Sequence, residues 1–231
     1  MCGRFTLRAP AERVKREFRL EEAPSVEARY NIAPTQSVLA VRRASDEREA
    51  VTLKWGLIPS WAKDGSMGAK LINARSETVE EKPSFREAFK RRRCIIPADG
   101  FYEWQRTGGR KQPYYFRLKD DRLFGFAGLW ENWHAPDGSH VRSATIITTE
   151  PNELVKPIHN RMPAMLKRED YQRWLEPGEQ AEGALMEMLR PYPSEEMELY
   201  PISTLVNSAK NEGEELIKPA EPVETPRTLF D

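Results

Sequence analysis

Residues 93–105 read RCIIPADGFYEWQ, an apolar run broken by Pro-Ala-Asp-Gly and resumed by aromatic residues. β-branched and aromatic side chains suit a pleated surface, whereas Pro, Asp and Gly interrupt it. Three further segments repeat the arrangement: PYYFRLKD (113–120), LFGFAGLWENW (123–133) and VRSATIITTE (141–150). The Gly-rich TGGRKQ (107–112) and APDGS (135–139) between them predict hairpin loops, and the segments themselves antiparallel strands. Upstream, SVLAVRR (37–43) and AVTLKWG (50–56) flank the charged turn ASDERE. Helices are expected over 10–20, where Val14 and Phe18 share a face after Pro10, and over 83–93, 168–176 and 179–190. Strands and helices do not alternate as βαβ units. The fold class is therefore α+β: one domain over residues 1–220 with a curved, mostly antiparallel, barrel-like sheet and flanking helices, then a loosely held tail at 221–231.

The chain has 231 residues, 39% of them hydrophobic, enough for one substantial core. No stretch approaches the roughly 18 apolar residues of a membrane span, so no membrane is expected. Lack of a secretory signal points to the reducing cytoplasm, where Cys2 and Cys94 stay as free thiols. His134, His140 and His159 lack metal-ligand spacing with the two cysteines, so neither metal nor cofactor is expected. Net charge is zero, but residues 195–231 carry nine acidic and three basic side chains, leaving residues 1–194 with 33 basic against 27 acidic. A modestly basic body can hold an anion-binding groove, although many solvated surfaces have the same balance.

Several short stretches carry side chains suited to chemistry. MCGRFT begins the chain, and removal of Met1 would leave the α-amine and thiol of Cys2 on adjacent carbons. If this stretch is extended, Cys2, Arg4 and Thr6 share one face and Phe5 anchors the other; the plain alternative is a frayed terminus with an idle cysteine. In KLINARSET (70–78) the same period pairs Asn73 with Arg75, either as a recognition pair for an oxygen-rich ligand or with Arg75 tied to Glu77 or Glu80. Glu103 is the only carboxylate in its strand. Burial would raise its pKa toward neutrality and make it a proton donor and acceptor, whereas a wet face would leave it ordinary. Pro157 and Pro163 stiffen VKPIHNRMPAM (155–165), which presents His159 and Arg161. Trp55 reads as core, Trp61 either as core or as a stacking platform for a nucleobase. Cys94 reads as core, and His134 and His140 as solvent-exposed and without a role.

Together, MCGRF, ARYNIAPT, KWGLIPSWA, INARSE, CIIPADGFYEW, GLW, TIITTEPN and IHNRMP occur in order. This series resembles the SOS response-associated peptidase (SRAP) family from Cys2 to about RMPAML, with weaker agreement through YPISTLVNSAKN. The resemblance implies a single SRAP domain that binds single-stranded DNA and joins covalently to abasic sites. Motif by motif, it implies Cys2 as the crosslinking nucleophile, Asn73 as the active-site amide, Glu103 as acid and base, and His159 as the catalytic histidine. Arg4, Trp61, Arg75, Thr148 and Arg161 match positions that line the DNA channel. The family name implies a peptidase, best understood as removal of whatever precedes the cysteine. The expected partner is abasic single-stranded DNA, bound by a monomer. Two alternatives are an N-terminal-nucleophile hydrolase of peptide or amide bonds, which uses the same residues, and a non-catalytic single-strand-binding module in which Trp61 and the arginines carry the affinity.

Overall fold

The segment 93–105 does not form two neighbouring strands. The computed structural model, which describes residues 2–107, 109–178 and 183–222, places its halves in different sheets. Asp99 is the corner. Its buried carboxylate accepts hydrogen bonds from Thr6 Oγ1 (2.6 Å) and from the amides of Arg8 (2.6 Å) and Ala9 (3.0 Å), and Arg8 Nε lies 3.1 Å away. Gly100 follows because a Cβ there would lie 2.0 Å from the Tyr115 hydroxyl.

In chain order the elements are β1 (Phe5–Leu7), α1 (Ala11–Phe18), β2 (Arg29–Ile32), β3 (Ser37–Ala44), β4 (Glu47–Trp55), β5 (Asn73–Arg75), α2 (Arg86–Arg91), β6 (Arg93–Ala98), β7 (Gly100–Thr107) and β8 (Arg110–Leu118). There follow β9 (Phe124–His134), β10 (His140–Thr149), β11 (Met162–Pro163), β12 (Met165–Leu166), α3 (Tyr171–Leu175) and β13 (Met197–Pro201). One sheet has the order β13-β8-β7-β1-β2. In the other, β10 pairs with β4, β4 with β3, β3 with β6, β6 with β9, and β9 again with β10, so the sheet closes into a five-strand barrel without a free edge along that path. All these pairings are antiparallel except β10–β4, which is parallel with Ser143 opposite Lys54.

The barrel splays at the end of β10, and short segments fill the gap. On one edge β5 continues the parallel pairing begun by β4, with Asn73 opposite Ile146 and Arg75 opposite Thr148. On the other edge β11 and β12 form a wedge: Ala164 donates its amide to Ile147 O (2.9 Å) and accepts from Ala127 N (2.8 Å), joining β10 to β9. The loop between Thr149 and Met162 is thereby held at both ends.

Phe5 fastens the small sheet to the barrel, meeting Trp55 and Phe126 edge-on at centroid distances of 5.2 and 5.6 Å. Trp55 is core, as expected, and its indole donates to Ile72 O (2.9 Å). Each such aromatic burial stabilises the fold by about 1.5–3 kcal/mol. Cys94 is also core, whereas His134 and His140 are exposed beside their turn.

Three helices fall where expected, although the third begins as a 3₁₀ turn (Arg168–Asp170) before α3. The helix expected over 179–190 is corrected: residues 179–182 lie outside those described, and the rest holds only a 3₁₀ turn, Met186–Leu189. Gly183, at φ +75°, takes the chain off the helical path. Most of the tail expected at 221–231 also lies outside the described residues. Among the described residues no helix is long and apolar enough to cross a membrane.

Candidate active site

The splayed end of the barrel and the neighbouring edge of the small sheet bring together chain segments remote in sequence. Cys2 leads into β1, Glu103 stands on β7, Asn73 and Arg75 on β5, Thr148 at the end of β10, and His159 and Arg161 in the loop before the wedge. Gln105, two residues beyond Glu103, donates to Pro157 O (3.3 Å) and ties β7 to the histidine loop.

Cys2 is fully buried and belongs to the same apolar cluster as Phe5. Arg4 turns elsewhere: its Nη1 donates to Asn31 Oδ1 (2.7 Å) and Val206 O (2.8 Å), and its guanidinium lies 5.9 Å from the Trp104 ring centroid. Regular strand pairing of this stretch begins at Phe5, with one further bond from Tyr102 N to Arg4 O (3.0 Å). Burial pushes the Cys2 thiol well above its ordinary pKa, and the nearby Glu103 carboxylate pushes it further.

Glu103 is only 3% exposed, and burial raises its pKa from 4.5 to about 7. The carboxyl is thus half-protonated near neutrality, the condition in which one group can both give and take a proton. His159 is half-buried. Its backbone amide donates to Val155 O (2.9 Å), and its Nδ1 accepts from Arg161 N (3.1 Å), which aims the ring. Burial holds its pKa below the ordinary 6.5, with the cations Arg106 and Arg161 adding to the effect. It is a neutral base at pH 7.

Asn73 donates through Nδ2 to Ile146 O (3.3 Å), while its buried Oδ1 has no hydrogen-bond partner among the described residues. Nε of Arg4 and Nε of Arg161 are likewise buried and unpartnered. A buried polar atom left unpaired costs about 1–3 kcal/mol. Arg161 is otherwise engaged: it forks onto the Glu77 carboxylate through both terminal nitrogens and donates to Thr148 O (2.6 Å). Arg75 is exposed and has no carboxylate partner among the described residues, since Glu77 is taken by Arg161. Thr148 is buried, its hydroxyl 3.4 Å from Ala74 O. Trp61 is 56% exposed, its indole 3.4 Å from Pro83 O, so its ring face is open to stacking.

Asn31 and Gln105 carry no expectation from the sequence, and Glu77, one alternative partner expected for Arg75, pairs with Arg161. Buried Asn31 also donates through Nδ2 to Ser208 O (2.9 Å) and Asn211 O (2.8 Å), tying the segment after β13 to Arg4. Its signal was present, a lone amide in the strand RYNI, but its partners are about 180 residues away.

The class of protein is thus an α+β domain in which a closed barrel packs beside a small sheet that sets a buried Cys2 within electrostatic reach of Glu103. The chain belongs to the SOS response associated peptidase (SRAP) family, whose sequence profile matches residues 1–209. Abasic site processing protein YoqW of Bacillus subtilis is 46% identical over 222 residues, covering 94% of this chain and 99% of the relative. Abasic site processing protein HMCES of Gallus gallus is 35% identical over 224 residues, covering 83% and 66%. A crystal structure of a protein from Bacteroides thetaiotaomicron superposes with a TM-score of 0.85 at 29% identity, covering 95% of this chain and all of that one.

Proposed function

We propose that this chain captures abasic sites in single-stranded DNA by forming a covalent adduct with Cys2 after Met1 has been removed. The observation that supports the reading is a fully buried Cys2 within electrostatic reach of Glu103 on the strand that pairs with β1. A ring-opened abasic sugar carries an aldehyde, and a terminal α-amine with pKa near 7.7–8.0 is roughly one-quarter neutral at pH 7.4, against about 0.1% for lysine. The amine adds to the aldehyde carbon. The resulting carbinolamine loses its hydroxyl as water, with a proton from Glu103, and its N–H proton returns to the Glu103 carboxylate to give an imine. The thiol sulfur then adds to the imine carbon, its proton passes to the nitrogen, and a five-membered thiazolidine closes, favoured by the high effective concentration of a group one carbon away.

His159, as a neutral base, takes protons during ring opening and returns them on reversal. Asn73 Oδ1 accepts a sugar hydroxyl. Arg75 neutralises a flanking phosphate and Trp61 stacks on a base, while Arg4 and Arg161 offer their unpartnered Nε atoms from arginines already held in place. The same proton transfers serve any lyase-type imine chemistry or removal of the residue before Cys2. The outcome is a shielded lesion, since a held abasic site is closed to nucleases.

The direction of the thiol shift argues against a thiolate hydrolase. A cysteine nucleophile of that type is activated by a lowered pKa, and burial and Glu103 act the opposite way on Cys2. A purely binding module gives no role to a buried carboxyl of pKa about 7 beside a thiol. Incubation of Cys2-terminal protein with abasic single-stranded DNA should give an intact mass equal to protein plus DNA less one water, with no turnover of peptide or amide substrates. Cys2→Ala should bind the DNA without a stable adduct, and Cys2→Ser should give only a labile imine. A heat-stable crosslink from Cys2→Ala, or from protein fully capped by Met1, would refute the reading.

A further inference from the structure

The hairpin of β7 and β8 outreaches its sheet. Pairing with β1 ends at Phe5 opposite Phe101, with one further bond from Tyr102 N to Arg4 O, and pairing with β13 ends at Pro201 opposite Tyr114. Ile202 N still donates to Pro113 O (3.1 Å) and Gln112 to Ile202 O (3.1 Å); beyond the Gln105–Gln112 pair the two strands continue as an arm, with Arg106 opposite Lys111. No Asp or Glu occurs from Trp104 to Lys119, and Arg106, Arg110 and Lys111 of the arm are all exposed. Like charges placed directly opposite destabilise a hairpin, and one carboxylate at either position would relieve the pair. The chain keeps the repulsion, which an anion lying over both side chains removes.

The base of the arm belongs to the candidate active site. Glu103 is on the same strand, and Gln105 reaches the loop of His159. Side-chain alternation puts Trp104, Arg106 and the opposed Lys111 on one face, where the Arg4 guanidinium lies near the Trp104 ring. Arg4 and Trp104 at the base of the arm are held by Asn31, Val206 O and Asn207, and the exposed cations lie beyond them at Arg106 and Lys111. Glu103 and Gln105 take the opposite face, but the long Arg106 side chain is within electrostatic reach of His159, so the arm lies beside the site from which a DNA strand continues.

We propose that the β7–β8 arm binds backbone phosphates of the DNA strand on one side of the captured nucleotide, through Arg106 and Lys111. This rests on the function proposed above. The test uses Cys2→Ala protein and short single strands bearing a tetrahydrofuran abasic analogue, which has no aldehyde, placed centrally or at either end. With the central analogue, Arg106→Gln combined with Lys111→Gln should flatten the log–log salt dependence by about 1.4, from roughly 0.7 per phosphate contact. Between 50 and 200 mM salt, the parent then loses about sevenfold more affinity than the variant. The difference should vanish for one end placement only, and the charge-conserving Arg106→Lys with Lys111→Arg should keep the parent slope. The Gln variant should melt no lower than the parent, since a repulsion has been removed. Equal slopes for parent and variant on every strand, or an equal change for both end placements, overturns the arm while leaving the capture site intact. A parent that does not bind the strands at all overturns the function and the arm together.

Discussion

Replacing Glu103 with Gln tests the site through stability as well as rate. The folded carboxyl has its pKa raised by burial from 4.5 to about 7, so the fold favours its protonated form. The stability contributed by that preference is complete below pH 4.5, falls as pH rises toward 7, and is gone above it. A shift of about 2.5 units is worth about 3.4 kcal/mol. Gln resembles the protonated acid in shape and charge. Glu103→Gln should therefore match the parent near pH 4 and exceed it by about 3 kcal/mol at pH 8, a rise in melting temperature of about 6–12 °C for a chain of this size. Crosslinking should fall by about 10²–10⁴-fold with DNA affinity little changed. The parent rate should peak between the carboxyl's pKa and that of the amine, about 7 to 8, and the variant should lose the alkaline limb. Thermal melts at both pH values, alongside crosslinking time courses, give the comparison. A variant less stable than the parent at pH 8 would show that the carboxylate is stabilised as an anion, and the acid–base role would fall with it.

Arg75→Ala should flatten the salt dependence of single-strand binding by about 0.7, whereas Trp61→Ala should weaken binding by about 1–3 kcal/mol at every salt concentration, because stacking releases few ions; titrations with Cys2→Ala protein separate the two. Asp99→Ala should destabilise the fold by about 1–3 kcal/mol, since it removes the acceptor of the Arg8 and Ala9 amides at the corner between the sheets, while Arg8 keeps Asp121. A urea midpoint within error of the parent would mean that the corner holds without its carboxylate.

The strands around residues 93–150 were legible because β-branched and aromatic runs broken by Pro, Asp and Gly are a local signal. Barrel closure was not. It depends on β10 lying parallel to β4, a pairing between residues nearly 90 positions apart that leaves no periodicity in either. β5, β11 and β12, of two or three residues each, are set by the gap at the end of β10 and not by their own propensity. In 179–190 the apolar spacing suggested a helix, but Gly183 prevailed. At the site, a lone Glu in an apolar strand and a His between prolines stood out. The fork of Arg161 onto Glu77 did not, because it joins residues 84 apart whose charges have nearer candidates in sequence.

The burial of Cys2 also sets a clock. If capture uses the Cys2 amine, Met1 must leave, and an aminopeptidase has to cut next to a residue that the finished fold buries. β1 cannot dock against β7 until about 100 residues more have been made, and at 5–20 residues per second that takes roughly 5–20 s. Trimming by an outside enzyme belongs to that interval on the ribosome. A molecule that folds untrimmed depends on its own chemistry, or on transient opening of β1, to become competent. Slow translation of the first hundred codons should raise the competent fraction, and rapid folding of a saved-up full-length chain should lower it.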